Sequence, residues 1–335
     1  RVFARAGRAD EASETFSKVV EIEPRQLSYR KGYARFLIQL KRLDDAERVL
    51  KEAIKDFPDD HTAKLAYVEF LSGSRGIDEA ILALQGMIAE APENNQYRFA
   101  LGKVYEAANR IDDAATLYAG LIGDIEEGPE LIKAKERLAV VKTHQNDLAG
   151  AKQLAGQVLE ESPRSVEALT LRGTLLLNEG DAVGAIADLR TVLRDDPARI
   201  PAIRLLARAH LMNKEPHLAE DVLNTGIKAN PAAAEIALDL ANHYISQQAF
   251  DTAMQTLNDA ITRLPGTAGL LENKFKLLVY QKAFDEALGV AERFKQVQPN
   301  NVKGYHFAGL VRQAQGDHEG SIGEFESALD RTRQA

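Results

Sequence analysis

Residues 27–58 show the clearest secondary-structure pattern in the chain, and their sequence is LSYRKGYARFLIQLKRLDDAERVLKEAIKDFP. Apolar side chains recur there at the three- and four-residue spacing that places them on one face of a helix. Two such sets follow each other: Tyr29, Tyr33, Phe36, Leu37 and Leu40, then Leu43, Ala46, Val49, Leu50, Ala53, Ile54 and Phe57. Pro58 ends the second set, because proline disfavours a helical conformation at the residue before it. The stretch predicts two antiparallel helices joined by a short turn.

The same pattern repeats along nearly all of the 335 residues. Prolines stand at a constant step of thirty-four positions, lengthened once to thirty-seven, at 24, 58, 92, 129, 163, 197, 231, 265 and 299. Alanine keeps the same steps at positions 12, 46, 80, 114, 151, 185, 219, 253 and 287, and Ser321 takes the next place. Because two residue types share one period, we predict a half repeat followed by nine repeats of two helices.

Small residues have a steric task in this arrangement. Alanine at the start of each second helix, and Gly102, Gly173 or Gly309 in a first helix, allow the two helices of a pair to approach closely. A larger side chain at these places would push the pair apart, so Ala185→Leu is expected to destabilise the fold.

One repeat carries Leu101, Gly102 and Tyr105 in its first helix and Ala114 and Tyr118 in its second. This arrangement resembles the tetratricopeptide repeat. Similar fragments are Gly173 with Ala185 and Pro197, and Gly309 with Phe325 and Ala328. The family's tryptophan is absent, and Arg98 stands in its place in the best-matching repeat. The resemblance spans the chain and implies an all-α fold: a right-handed superhelical α-solenoid of stacked antiparallel helix pairs, as a single domain over 1–335.

Two features depart from the regular repeat. The one longer step puts three extra residues into an acidic connector at 122–130, either a tolerated loop insertion or a hinge with a change of superhelix pitch. Both ends look truncated, since residues 1–7 supply only the tail of a helix. The last helix, with Ile322, Phe325 and Leu329, has no polar helix to cap it. We expect these ends to continue into more protein or to support self-association.

Composition and motifs argue against an enzyme. The chain has no cysteine, and it lacks the phosphate-binding, metalloprotease and serine-hydrolase motifs. None of the seven histidines stands four residues from another, although His210 and His217 could meet across a turn as a metal site. Acidic pairs such as Asp44 and Asp45 suit helix starts. We expect no catalysis, no cofactor and no metal.

The charge and hydropathy also narrow the class of partner. Lys and Arg total 42 and Asp and Glu total 50, so the net charge is −8. Nucleic-acid binding is not expected, because it favours a basic face. A membrane-spanning helix needs about 20 apolar residues, and the longest apolar runs are far shorter, so no direct membrane insertion of this fragment is expected. A protein or peptide is the expected partner.

In the resembled family, the first helix of each repeat lines a concave groove in which partner segments lie. The register predicts these partner-binding residues: Lys31, Arg35, Phe99, Lys103, Arg204, Arg208, Asn242, Asn273 and Lys276. Two like-charge pairs fall four residues apart on one helix face, Lys31 with Arg35 and Arg204 with Arg208. They predict a partner with acidic groups, unless acids of a neighbouring repeat, such as Glu69, Asp239 or Glu235, neutralise them.

Some members of the family hold a C-terminal carboxylate with a clamp of lysine, asparagine and arginine. Asn242 and Asn273 match the two asparagine positions of that clamp. Leu238 stands where its first lysine belongs, and His306 and Leu310 replace its last basic pair. The clamp is incomplete, so binding of a chaperone tail is not predicted. The two asparagines are still expected to hydrogen-bond a bound backbone.

The sequence therefore favours a noncatalytic interaction scaffold or adaptor. The alternative is a regulatory or substrate-presenting arm of an enzyme whose catalytic part lies outside this fragment. The alanine- and leucine-rich repeats also resemble large bacterial repeat proteins, some of which are envelope lipoproteins that assist exopolysaccharide export. A bacterial envelope assembly and a cytoplasmic adaptor both remain open as settings.

Overall fold

The computed structural model describes residues 9–334, and over that range it contains nineteen helices and no strand. The all-α prediction is confirmed. The chain forms two compact units: an N-terminal unit that ends at Ser162 and a C-terminal unit that begins at Pro163. The helices of the N-terminal unit are α1 (Ala9–Ile22), α2 (Leu27–Gln39), α3 (Leu43–Asp56), α4 (His61–Ser74), α5 (Ile77–Glu90), α6 (Asn95–Ala107), α7 (Ile111–Asp124), α8 (Pro129–His144) and α9 (Leu148–Glu161).

The C-terminal unit continues the same pattern. Its helices are α10 (Val166–Glu179), α11 (Ala182–Asp195), α12 (Ile200–Met212), α13 (Pro216–Ala229), α14 (Ala234–Ser246), α15 (Phe250–Arg263), α16 (Ala268–Tyr280), α17 (Phe284–Val297), α18 (Val302–Ala314) and α19 (His318–Gln334). From α2 onward, each even-numbered helix packs on the odd-numbered helix that follows it. These are the predicted nine pairs, and α1 is the half repeat before them. Pro201 and Pro216, which stand outside the proline period, fall in the first turns of α12 and α13, where proline is tolerated.

The periodic small residue lies in the core of every repeat. All nine alanines are buried, eight of them completely: Ala12, Ala46, Ala80, Ala114, Ala151, Ala185, Ala219, Ala253 and Ala287. Ser321 is also buried at the tenth place, where its hydroxyl donates a hydrogen bond of 2.9 Å to the Gly309 carbonyl. The predicted register of the second helices is therefore correct over the described chain.

The first-helix glycines make room for a large side chain on the partner helix. A Cβ atom added to Gly309 would lie 2.6 Å from Cε1 of Phe325, which is inside contact distance. Gly102 faces the Tyr118 ring and Gly173 faces Leu189 in the same way. In each pair the large residue stands sixteen positions after the glycine. The glycines thus set the helix separation through a side chain that fills the space above them.

A left-handed residue ends most of the first helices. Six of the turns within pairs hold a non-glycine residue at positive φ: Lys41, Asn109, Asn146, Lys214, Gln248 and Lys282. The other three use Gly76, Gly180 and Gly316. After Lys282, the backbone N–H of Ala283 donates to the Leu278 carbonyl at 2.9 Å, which closes the end of α16. This helix-ending geometry reverses the chain within two or three residues.

The three extra residues of the irregular repeat lie in a helix. Four residues, Ile125 to Gly128, link α7 to α8, and the same number links α3 to α4. The insertion instead lengthens α8 to 16 residues, with Pro129 in its first turn. Leu121 before the link and Leu138 after it belong to the same buried core. In the segment 122–130, residues 122–124 and 129–130 are therefore helical and only the four residues between them form the link, and the apolar core continues across it.

Candidate partner-binding surface

Within each unit, even-numbered helices of neighbouring repeats contact one another and together form one continuous surface. Within the N-terminal unit α2 contacts α4, α4 contacts α6 and α6 contacts α8; within the C-terminal unit α10, α12, α14 and α16 make the same sequence of contacts. We call the solvent-facing side chains of these helices the first-helix face of each unit. Each face runs across several repeats, so its side chains can engage one extended or helical partner segment.

Lys31 and Arg35 lie on the first-helix face of the N-terminal unit. They border a depression of about 310 Å³ between α2 and α4, which Ile38, Leu50 and Phe70 also line. Within the described residues, neither cation has a carboxylate within ion-pair distance. Glu69 lines the same depression and is exposed, again with no cation within that distance among the described residues. Lys31 also interacts electrostatically with Asp60 at the start of α4, whereas Arg35 is exposed, so the pair can still receive an incoming anionic group.

Arg204 and Arg208 differ from that first pair. Arg204 donates two hydrogen bonds to Asp239 of the next first helix, at 2.5 and 3.1 Å, so it is neutralised within the chain. Arg208 is exposed, and no described carboxylate lies within ion-pair distance of it. Both arginines border a depression of about 760 Å³ that Leu205, Leu211 and Glu235 also line. The internal-neutralisation alternative thus applies to Arg204 alone.

Phe99 and Lys103 occupy different environments although they share a helix. The Phe99 ring is buried, and Nζ of Lys133 stands 4.3 Å from the ring centroid. Lys103, one turn later, is exposed. A partner can reach Lys103 directly, whereas Lys133 covers the Phe99 ring.

The three remaining candidates, all in the C-terminal unit, also differ in their environments. Asn242 is exposed on α14. Asn273 donates a hydrogen bond of 2.8 Å to the Gly269 carbonyl of its own helix, so one of its two amide N–H donors is already used. Lys276 pairs with Glu272 at 2.8 Å, and Lys303 of the next first helix reaches the same carboxylate at 2.6 Å. Hydrogen bonds from Lys276, and then from Lys303, lower the pKa of Glu272.

Two buried polar side chains, His210 and Tyr118, have structural partners. His210 is buried, and its Nδ1 lies 2.7 Å from Glu215 at the start of the next helix. The Tyr118 hydroxyl donates to Glu106 at 2.7 Å, and burial followed by this bond raises the pKa of Tyr118. No cluster of three or more metal-ligating side chains occurs in the described part of the chain. No helix among residues 9–334 combines the length and apolar character of a membrane span.

The sequence reasoning missed a row of exposed apolar residues at the ends of the first helices in the C-terminal unit. Leu211 and Met212 of α12 are 43% and 38% exposed, and Val279 and Tyr280 of α16 are 36% and 71% exposed. Ile245 holds the same place on α14 and is half-buried. These positions lie three or four residues after the predicted binding residues Arg208, Asn242 and Lys276, and they recur with the period of the repeat. That recurrence is the signal that could have identified them.

The family models that match this sequence carry the same description. Two family models described as Tetratricopeptide repeat match the sequence, one over residues 3–67 and 176–236 and the other over residues 71–130 and 142–200. No curated protein matches the chain. Many solved structures match it, and at the low identities of those described next the likeness shows its fold alone.

Three solved structures show the extent of the likeness. A tetratricopeptide repeat protein from Parabacteroides merdae is 16% identical, with 71% of this chain and 93% of that chain covered and a TM-score of 0.50. The human IFIT1 dimer with m7Gppp-AAAA is 14% identical, with coverages of 98% and 79% and a TM-score of 0.53. The APC/C hetero-tetramer Cut9-Hcn1 is 13% identical, with coverages of 91% and 59% and a TM-score of 0.51.

Proposed function

This chain belongs to the tetratricopeptide repeat family, and we propose on that basis that it is a noncatalytic scaffold that binds an acidic segment of a partner protein. Repeats of this kind generally mediate protein–protein interaction, and stacked helix pairs offer extended binding surfaces. The proposed binding residues are the accessible cations on the first-helix face of each unit: Lys31, Arg35 and Lys103 in the N-terminal unit, and Arg208 in the C-terminal unit. Asn242 is proposed to hydrogen-bond the partner's backbone.

The pair of Lys31 and Arg35 carries this proposal. Two cations one helix turn apart repel each other modestly, and a shared anion relieves that repulsion. They border a depression floored by buried apolar side chains, including Leu50 and Phe70. A carboxylate bound there would meet two charged donors while its carbon stem packed on an apolar floor. Charge-assisted hydrogen bonds of this kind are among the strong ones in proteins.

A capture experiment tests the proposal. The chain is immobilised, and lysate from its source is passed over wild type and over Lys31→Glu/Arg35→Glu. The matched control is Arg25→Glu/Lys55→Glu, which makes the same change in charge at exposed residues that lie outside the even-numbered helices. Wild type and control should retain the same partner, and the first variant should lose it about tenfold or more. Equal recovery by all three proteins would show that this surface does not bind the partner.

The biological setting is a separate proposal. We propose a bacterial envelope assembly or exopolysaccharide export complex, on the resemblance of the repeats to large bacterial envelope proteins. A full-length sequence with a lipoprotein signal upstream would support it, and an uninterrupted cytosolic start would favour a cytoplasmic adaptor. A catalytic domain in the same chain would favour the alternative, in which these repeats present substrates to an enzyme.

A further inference from the structure

We propose that the first-helix face of the C-terminal unit binds an acidic amphipathic helix. The apolar side of that helix would pack on Leu211, Met212, Ile245, Val279 and Tyr280, which we call the apolar row. Its carboxylates would meet Arg208 and Lys276, which we call the basic row. This inference rests on the proposed scaffold function, and it adds the chemistry of a partner for a second surface.

The apolar row crosses three neighbouring helices. Its members lie at the carboxyl ends of α12, α14 and α16, and each of these helices contacts the next. Tyr280 is the most accessible of them; one side of its ring lies against Phe250, with ring centroids 5.2 Å apart. Scattered exposed apolar residues are ordinary, but a row repeated on successive helices marks an interaction surface.

The N-terminal unit lacks this row at the same register. The corresponding pairs on its first helices are Ile38 and Gln39, Ser72 and Gly73, Glu106 and Ala107, and Thr143 and His144. Only Ile38 among them is large and aliphatic, and it is half-buried. Since both units build the same helix pairs without a common apolar row, the fold does not require one. The row in the C-terminal unit is therefore a candidate for binding.

The basic row runs beside the apolar row, one helix turn away. Arg208 precedes Leu211 by three residues, and Lys276 precedes Tyr280 by four, so each cation shares a helix face with an apolar neighbour. Arg204 is occupied by Asp239, and Glu235 in the same depression also acts on Arg204, which leaves Arg208 as the accessible cation. Lys276 is 63% exposed and pairs with Glu272 of its own helix, and Glu272 keeps Lys303 as a second cation at 2.6 Å if Lys276 turns to a partner's carboxylate.

The spacing of the rows favours a helix over an extended chain. Packed helices lie about 8–10 Å apart, so apolar contacts on successive first helices should recur at about that distance. In a helix, residues seven apart are about 10.5 Å apart along the axis and point the same way. In an extended strand, side chains on one face recur about every 7 Å. A helix with apolar residues at i and i+7, and acids beside them, therefore matches both rows.

Fluorescence anisotropy with a synthetic probe tests this inference. The probe is a labelled amphipathic peptide of about twenty residues, with leucine along one face at i, i+3 and i+7 and glutamate beside that face. Wild type should bind it with a measurable Kd. Leu211→Ser/Tyr280→Ser should weaken binding about tenfold, and Arg208→Glu about fivefold. Both variants alter exposed side chains, and circular dichroism confirms that each remains folded.

The controls separate this inference from the proposed function. Arg25→Glu/Lys55→Glu changes the charge by the same kind of substitution at exposed residues outside the even-numbered helices, and it should bind the probe as wild type does. A probe with two central prolines, which cannot form the helix, should bind at least tenfold more weakly. No binding of the probe by wild type, or equal binding of the proline probe, would overturn the amphipathic-helix inference. Neither result would alter the outcome of the lysate capture, which tests the scaffold function by itself.

Discussion

Gly102 and Tyr118 occupy one shared space between α6 and α7. A Cβ atom on Gly102 would lie 2.6 Å from Cε1 of Tyr118, while the ring itself is completely buried. The pair shows how this repeat sets its helix separation: one position is small so that the position sixteen residues later can be large. The repeat with Phe275 and Ala291 reverses the sizes at the same two places, and both residues are buried.

Gly102→Ala should therefore destabilise the protein. The added methyl group has no room beside the Tyr118 ring, and overpacking of this kind costs about 1–3 kcal/mol. Urea unfolding followed by circular dichroism measures the effect. Gly86→Ala is the control, because a Cβ atom there meets nothing within 4 Å, and it should be neutral or stabilising. In the background of Tyr118→Leu the Gly102→Ala change should cost much less. An equal cost in both backgrounds would contradict the shared-space interpretation.

Ala185→Leu tests the register of the second helices. Ala185 is completely buried on α11, so a leucine there should cost about 1–3 kcal/mol by forcing the helices apart. The matched control on the same helix is Val183→Leu, since Val183 is 67% exposed and tolerates a larger side chain. Thermal unfolding compares the two. An unchanged melting temperature for Ala185→Leu would count against the register.

Lys282→Gly should stabilise the C-terminal unit. Lys282 has a φ of 60° at the end of α16, and left-handed backbone costs a residue with a Cβ about 1 kcal/mol relative to glycine. We expect a gain of about 0.5–1 kcal/mol in the free energy of unfolding. The neighbouring change Gln281→Gly is the control: Gln281 has a right-handed φ of −79°, so it should bring no gain. Stabilisation by both substitutions, or by neither, would argue against relief of backbone strain.

The stability of the N-terminal unit should fall in alkaline solution. Burial raises the pKa of Tyr118 above its ordinary value of 10.0, and the hydrogen bond to Glu106 raises it further. The unfolded chain loses the proton first, so stability is complete below about pH 10 and declines as the pH rises above it. The unfolding free energy, measured in urea from about pH 8 to 11, should decline less steeply in Tyr118→Phe than in wild type. Identical slopes would show that Tyr118 does not contribute to the decline.

The sequence was sufficient for the fold because its signals are local or periodic. The apolar residues of one helix face lie within eleven positions of each other in the sequence. The constant spacing of alanine and proline then defines the length of the repeat. The turn geometry was less accessible: lysine, asparagine, glutamine and glycine all occupy the left-handed position, so no residue type marks it. The place of the three extra residues was also hidden, since glycine, proline and acids suit a loop and a helix start equally well.

The contacts of charged side chains were harder to predict, because they depend on neighbours far along the chain. The sequence named Glu69 and Asp239 as acids that could neutralise the cationic pairs, but it could not choose between them. The structure pairs Asp239 with Arg204 and leaves Glu69 without a cation within ion-pair distance in the described chain. Which acid a cation contacts depends on the relative register of neighbouring helices, and a register change of one residue would change the partner.

A second set of charged residues also follows the repeat period, so a comparison of the repeats in the sequence could have identified it. Four ion pairs join a first helix to the end of its own second helix, at the same sequence separation each time: Arg30 with Asp56, Lys64 with Glu90, Arg98 with Asp124 and Lys135 with Glu161. The cations and the acids each follow the repeat period. Arg98, which replaces the family's tryptophan, thus holds its own helix pair together through Asp124 at 2.6 Å.

Backbone hydrogen exchange tests the central claim, that a partner binds on the first helices, most directly. The principal protein retained by wild type in the lysate capture is purified and added in excess, and amide exchange is followed by mass spectrometry. Amide exchange should slow in α2 and α4, next to Lys31 and Arg35, while exchange in α3 and α5 stays unchanged. Protection confined to the odd-numbered helices would contradict the claim.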